Sequence, residues 1–262
     1  MLLTIDAGNT NITLGAYTLG ETAREDALRF QSRLATNRSL TRDQLAVELM
    51  QAFRLHGQDP AACENAVISC VVSEMTGALA DAAGMITGRA PLVLAPGVKT
   101  GLNICIDNPA QLGADLIAGA VAAKALYPLP CLVVDLGTAT KLSAVNERGD
   151  FLGVAISAGV AISLEALAAH TSALPRIGLR APERTIGTNT LDSMQSGMVF
   201  GTACMIDGMA GRMAQELDAE YVTIVATGGL SKDIVCHCAH EVIYNGELVL
   251  YGLKEIYRKN KA

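Results

Sequence analysis

Apolar and polar residues alternate along the start of the chain, from Leu2 to Asp6, Ile12 to Tyr17 and Leu28 to Leu34, with Gly-containing or polar turns between. A period of two places one face of a strand in a core, so these runs predict an antiparallel meander. Ser39-Leu40-Thr41-Arg42-Asp43 then offers a helix start, and Leu45, Leu49, Ala52 and Phe53 recur at helical spacing. Ala66-Val67-Ile68-Ser69-Cys70-Val71-Val72 is a short, nearly continuous apolar run, the pattern of a buried strand in a parallel sheet. A helix from about Glu74 to Met85 and a short strand from Pro91 to Leu94 follow.

The second half restarts in the same way. Strands are predicted at Cys131 to Asp135, Thr140 to Val145 and Phe151 to Ser157, then a helix from Ile162 to His170. A long helix from about Leu191 to Glu216, a strand from Tyr221 to Ala226 and a terminal helix from Glu247 to Lys259 complete it. Leu112 to Leu126 reads as the helix joining the halves. Both halves open β-β-β and continue with helices and buried strands, so the unit itself repeats. The expectation is an α/β chain of two related domains, 1–112 and 113–262, whose terminal helix is a candidate to pack back on the first.

The repeat includes a phrase. Thr4-Ile5-Asp6-Ala7-Gly8-Asn9-Thr10 and Val133-Val134-Asp135-Leu136-Gly137-Thr138-Ala139-Thr140 each run an apolar strand into Asp, one spacer, Gly and a cluster of hydroxyl or amide residues. A strand that ends this way delivers its Asp to the edge of a turn, and the Gly lets the chain bend sharply with backbone N–H groups presented. Asp and Gly also favour ordinary turns; recurrence at matching topological positions favours a nucleotide cleft. In that reading Asp6 and Asp135 serve a hydrated Mg²⁺, which prefers one or two carboxylates plus phosphate oxygens. Thr223-Ile224-Val225-Ala226-Thr227-Gly228-Gly229 adds a third strand ending in glycines, where an adenine or a phosphate can approach the backbone. Asp115 opens the joining helix. Its acid either complements the helix dipole or accepts a substrate hydroxyl proton during phosphoryl transfer.

Composition narrows the class. A net charge of −6 argues against general nucleic-acid binding, which needs a basic face. Half of the 262 residues are hydrophobic and 18% are charged, the profile of an ordinary globular α/β protein. No window approaches the roughly 18 apolar residues of a membrane span, and the N-terminal run lacks the features of a secretory signal. Seven cysteines, mostly isolated in apolar runs, suit reduced core thiols and a cytoplasmic setting.

The order of the three turns resembles the superfamily of sugar kinases, heat-shock ATPases and actin; no P-loop or Rossmann glycine motif is present. Asp6-x-Gly8-Asn9-Thr10, Asn108-Pro109…Gly113-Ala114-Asp115, Asp135-x-Gly137-Thr138-Ala139-Thr140 and Leu174-Pro175 look like type III pantothenate kinase. So do Ile186-Gly187-Thr188-Asn189-Thr190…Ser196-Gly197, Thr227-Gly228-Gly229 and Gly252-Leu253…Ile256-Tyr257, in the family's order over nearly the whole chain.

The resemblance implies two actin-like (ribonuclease H-like) domains, a homodimer, and ATP-dependent phosphorylation of pantothenate at its primary hydroxyl, with Mg²⁺ and a monovalent cation, K⁺ or NH4⁺. Carried over by position, Asp115 is the general base and Asp6 and Asp135 serve the metal. Asp6, Gly8, Asn9, Thr10, Gly137, Thr138, Thr140, Gly228 and Gly229 bind ATP and its phosphates. Asn108, Gly113, Ala114, Asp115 and Thr190 face the substrate.

The chain departs from the family pattern near the acceptor. Leu116 stands where the family has Arg, Asp107 where it has an aromatic residue, Ala158 where it has Pro, and Lys141 where it has a second Thr. Leu cannot imitate a planar guanidinium, and Lys141 is a candidate replacement cation. A kinase for another small hydroxyl compound, or a paralogue that binds nucleotide in a regulatory role, are the alternatives.

Other features read as structural. Cys236-His237-Cys238-Ala239-His240 is spaced too tightly for usual zinc ligands and is expected on a helix. Met194, Met198, Met205 and Met209 read as core or dimer seam. The basic tail Arg258-Lys259-Asn260-Lys261 reads as a complement to the helix dipole.

Overall fold

Strand β1 (Leu2–Ala7) is buried on both faces, with Leu2, Leu3, Thr4 and Ile5 all at 0% exposure, as its central place requires. In the computed structural model, which describes residues 1–261, it pairs antiparallel with β2 (Asn11–Thr18), and β2 with β3 (Ala27–Ala35). β4 (Asn65–Cys70) then lies parallel to β1, and β5 (Leu92–Val93) parallel to β4, giving the order β3-β2-β1-β4-β5. The meander and the buried parallel strand stand where the apolar patterns predict them.

Helix α1 (Arg42–Leu55) starts at Thr41, whose side chain accepts from the Gln44 amide while the Gln44 side chain accepts from the Thr41 amide. That reciprocal cap satisfies two amides without helical partners. Its Leu45, Leu49 and Phe53 face the core beside α2 (Thr76–Thr87). Helix α3 (Ala114–Leu126) follows a short turn at Pro109–Gln111, and its Ala118, Ala120 and Ala122 are fully buried, as an almost wholly apolar helix must be.

The second sheet repeats the first. β7 (Cys131–Leu136), β8 (Ala139–Val145) and β9 (Asp150–Ala158) form an antiparallel meander, and β10 (Thr223–Thr227) lies parallel to β7. Two-residue strands β6 (Asn103–Ile104) and β11 (Ile243–Tyr244), unanticipated in the sequence, extend the edges to β11-β10-β7-β8-β9-β6. Helices α4 (Val160–His170), α5 (Thr190–Glu216) and the short α6 (Ser231–Val235) belong to this half, and α7 (Leu248–Lys261) ends the described chain. Met194 is core, and Met198, Met205 and Met209 pack against the same cluster.

Two compact units result. One comprises Met1–Gly101, Asn108–Ala122 and the segment from Glu247 onward; the other comprises Leu102–Asp107 and Ala123–Gly246. A division at 112/113 cuts across these units: Leu102–Asp107 groups with the second, and the start of α3, to Ala122, groups with the first. The terminal helix α7 also groups with the first, where it was a candidate to pack.

Candidate active site

The first turn is built by strand pairing and then pinned from outside. Asp6 lies opposite Thr13 in the β1–β2 ladder and is half-buried, while Asn9 and Thr10 are exposed at the tip. The Gly8 amide donates to the Asn11 carbonyl at 2.9 Å. Thr36, just after β3, secures the other side: its hydroxyl donates to the Gly8 carbonyl at 2.7 Å and its amide to the Thr10 carbonyl at 2.9 Å. Arg38 donates to the Asn9 side-chain carbonyl at 2.9 Å and to Glu74 at 3.0 Å. Sequence reasoning missed Thr36 and Arg38, since only the antiparallel return of β3 brings them to a turn almost thirty residues earlier.

The same unit carries Asn108, Gly113, Ala114 and Asp115. Asn108 accepts from the Ala110 amide at 3.2 Å and starts the turn leading into α3. Asp115 is half-buried in the first turn of α3, and its Oδ1 accepts from the Leu116 amide at 2.9 Å. A Cβ on Gly113 would stand 2.6 Å from that oxygen, so only glycine leaves the carboxylate where it is. The bond serves an amide that lacks a helical partner and also fixes the carboxylate in place. The helix-start reading of Asp115 accounts for this bond.

In the second unit, Asp135 and Lys141 are register partners across β7 and β8. Lys141 Nζ lies 2.8 Å from Asp135 Oδ2, with the side chains 16% and 22% exposed. Lys141 thus pairs with the turn's own carboxylate. Thr138 is exposed at the tip, whereas Thr140 is 1% exposed and, by strand alternation, faces away from Lys141.

Two glycines hold this turn. Gly159, the residue before α4, donates to the Thr138 carbonyl at 3.2 Å, and a Cβ there would overlap the carbonyls of Thr138 and Gly137. Gly228, at φ +101°, lies so close to β7 that a Cβ would be 2.6 Å from the Leu136 carbonyl oxygen. With Thr227 opposite Asp135 in the β10–β7 ladder, the second and third turns meet at neighbouring strand ends. Thr190 is exposed at the first position of α5, where Asn189 caps the helix by accepting from the Asp192 amide at 2.9 Å. Gly229 is exposed beside Gly228. The expected residues thus divide between the units: Asp6 to Thr10 and Asn108 to Asp115 in the first, and Asp135 to Thr140, Thr190, Gly228 and Gly229 in the second.

The carboxylates bear on the metal. Among the described residues no group of three or more His, Cys, Asp and Glu side chains could hold an ion. Magnesium needs no such cage when phosphates supply ligands, so carboxylates beside strand ends, as Asp6 and Asp135 are, suit that role. An ammonium also engages one Asp135 oxygen.

The Cys-His tract lies beyond α6 in a turn, not on a helix as expected. Asp207 of α5 organises it, accepting from the amides of Ala239 at 2.7 Å and His240 at 3.1 Å and pairing with His240 Nδ1 at 2.9 Å. All seven cysteines are free, but only Cys63 and Cys131 are buried, and Cys105, Cys204 and Cys236 are exposed, so the expectation of core thiols holds for a minority. Burial pushes the thiols up, Cys63 to about 11 and Cys131 to about 12, which keeps both protonated at neutral pH. Among the described residues no helix is long and apolar enough to cross a membrane.

Paired meanders flanked by parallel strands, with Asp-x-Gly turns at β1 and β7 and a glycine turn at β10, define the fold class of sugar kinases, heat-shock ATPases and actin. A solved relative of that fold, the activator of the 2-hydroxyisocaproyl-CoA dehydratase from Clostridium difficile with bound ADPNP, superposes with a TM-score of 0.51 at 10% identity, covering 99% of this chain and 97% of that one. The model of the type III pantothenate kinase family matches residues 2–212. A type III pantothenate kinase from Halalkalibacterium halodurans is 41% identical over 260 residues, covering 99% of this chain and 100% of the relative. One from Anaeromyxobacter sp. is 40% identical over 263 residues, with both chains covered in full. The chain belongs to the type III pantothenate kinase family.

Proposed function

We propose that this chain phosphorylates pantothenate at its primary hydroxyl with ATP, the first step towards coenzyme A. The observation that carries the reading is the fixed carboxylate of Asp115, held by the Leu116 amide over Gly113, in a chain of this family. Asp115 accepts the hydroxyl proton as the alcohol oxygen attacks the γ-phosphorus. The bond from that phosphorus to the β–γ bridging oxygen breaks, and ADP leaves with the electron pair. Little covalent chemistry is asked of the protein, so positioning and electrostatics carry the rate.

Asn9, Thr10 and Thr138, exposed at their turns, orient phosphate oxygens with the backbone of Gly8 and Gly137. Gly228 and Gly229 leave room for the nucleotide, and Asn108, Gly113, Ala114 and Thr190 line the acceptor. Asp6 and Asp135, with phosphate oxygens, would hold Mg²⁺, which would supply charge neutralisation when bound. Thr140 assists through packing, since its side chain is buried. The same reading includes a monovalent cation (K⁺ or NH4⁺), a homodimer and a cytoplasmic setting.

A second reading, a kinase for another small hydroxyl compound or a nucleotide-binding regulatory paralogue, is favoured by Leu116 and Asp107, which replace an arginine and an aromatic residue of the family pattern. The deciding experiment is ATP-dependent phosphorylation of pantothenate by the purified protein with Mg²⁺ and K⁺. Turnover lost in Asp115→Asn supports the first reading. Nucleotide binding without turnover of pantothenate supports the second.

A further inference from the structure

Helix α5 turns one side towards the Cys-His tract that follows α6. Phe200, Cys204 and Asp207 recur at the i, i+4, i+7 spacing and so share that side. The tract touches it on either side of Cys204. The His237 ring stands edge-on to Phe200, with ring centroids 5.1 Å apart, while Asp207 accepts from the Ala239 amide at 2.7 Å and the His240 amide at 3.1 Å. Cys238 lies between these two anchors. Its Sγ donates to the carbonyl of Ala203, the residue bonded to Cys204, at 3.9 Å. Two thiols distant in sequence are thus brought to one place, with Cys204 exposed and Cys238 half-buried. The Cys236 thiol instead turns back on α6, donating to the Asp233 carbonyl at 3.8 Å.

We propose that Cys204 and Cys238 form a reversible dithiol–disulfide site, oxidised by a small-molecule disulfide and tying α5 to the turn after α6. Burial, and then the charges of Asp207, Cys236 and Cys204, push the Cys238 thiol up to about 12, which keeps it protonated at neutral pH. The attacking species is a thiolate with access to its target, so the exposed Cys204 reacts first. Its sulfur attacks one sulfur of the small disulfide; that S–S bond breaks, and one small thiolate leaves with the electron pair. Cys238 then gives its proton to solvent and attacks the Cys204 sulfur, expelling the second small thiolate. Two protein thiols are oxidised to one disulfide, and the small disulfide is reduced to two thiols, which take up the two protons released. In a reducing compartment a bond of this kind is transient and redox-sensing.

The test uses the full chain treated with oxidised glutathione at neutral pH, digested without reduction and mapped by mass spectrometry, with thermal melting as the check on folding. Wild type should yield a Cys204–Cys238 cross-linked peptide that dithiothreitol removes. Cys204→Ser should lose the cross-link. Cys238→Ala should also lose it and should accumulate glutathione on Cys204, because the thiol that resolves the mixed disulfide is gone; Cys238→Ser replaces this variant if it does not fold. Cys236→Ser and Cys105→Ser should cross-link as wild type does. In the reduced protein, Cys204 should be alkylated at least about tenfold faster than Cys238, as the difference in thiolate population requires.

A wild type that keeps glutathione on Cys204 without closing the bond overturns the inference. So does a cross-link that joins Cys236 to either of the other two, because the pairing would then be set by flexibility of the tract and not by its contacts with α5. Faster alkylation of Cys238 than of Cys204 overturns the order of attack and the inference with it.

Discussion

Lys254 Nζ lies 3.1 Å from Asp26 Oδ2, and both side chains are 1% exposed. The pair joins α7, near the end of the chain, to the segment entering β3. Arg258, one turn further along α7, adds hydrogen bonds to both Asp26 oxygens and to the carbonyls of Gly20 and Thr22. Tyr251 lies under the ammonium, its ring centroid 3.9 Å away. The expected role of Arg258 as a dipole complement is thus secondary to a buried clamp. Such a clamp resists breakage of one partner far more than concerted replacement of both. Asp26→Asn should therefore cost about 3 kcal/mol, read by urea unfolding, since it leaves the buried Lys254 with Glu255 as its one carboxylate in this clamp and the half-buried Arg258 facing a neutral amide. A loss below about 1 kcal/mol would mean that α7 is held by its apolar face alone.

Asp26 also gives stability a pH dependence of known sign. Burial by itself would raise its carboxyl, but hydrogen bonds from Arg258, Lys254 and the Gly20 amide outweigh it and hold the group below its ordinary value. Its contribution is then fully present above the unfolded value of about 3.9 and is lost as the pH falls through the folded one. Wild type should lose stability on acidification below about pH 4 more steeply than Asp26→Asn. Urea titrations across that range should show the gap between them narrowing. A constant gap would assign the effect to packing.

Gly252 predicts a second route to loosening the same helix. A Cβ there would overlap the backbone carbonyl of Ala118 in α3, and backbone yields less than a flexible side chain. Gly252→Ala should destabilise the protein by about 2 kcal/mol or more, although alanine is the better helix former. A higher melting temperature for Gly252→Ala would show that α7 and α3 have room to separate.

These contacts mark where the sequence stops being legible. The meanders and buried strands were readable because burial imposes a period of two, or a continuous apolar run, on residues such as Leu2 to Asp6 and Ala66 to Val72. Strands β6 and β11 were not, since two residues carry no period; β5, equally short, was legible only through the apolar run Pro91 to Leu94. The turns themselves were legible as repeated Asp-x-Gly phrases, but their supports were not. Thr36, Arg38 and Gly159 reach them through pairing and packing set by tertiary structure. Lys141 was visible only as an oddity. Its partnership with Asp135 needs the β7–β8 register, which a tight turn at Gly137-Thr138 determines. Lys254 gave no signal at all, because a lysine on a terminal helix reads as solvent-facing until its carboxylate, more than two hundred residues earlier, is found beside it.

Asp115 and Gly113 make the catalytic prediction testable by degrees. If the carboxylate is the general base, Asp115→Asn removes proton acceptance while keeping size and shape, and kcat should fall by roughly 10²- to 10⁴-fold with little change in the KM for ATP. Gly113→Ala leaves the carboxylate chemically intact but displaces it, since the new methyl would sit 2.6 Å from Oδ1. Misplacement of about an ångström can cost roughly a hundredfold, so this variant should also lose kcat, by less than Asp115→Asn. The two together separate position from chemistry. If Gly113→Ala lowers only thermal stability and leaves kcat alone, the Asp115 carboxylate serves the start of α3 and the proton is taken elsewhere.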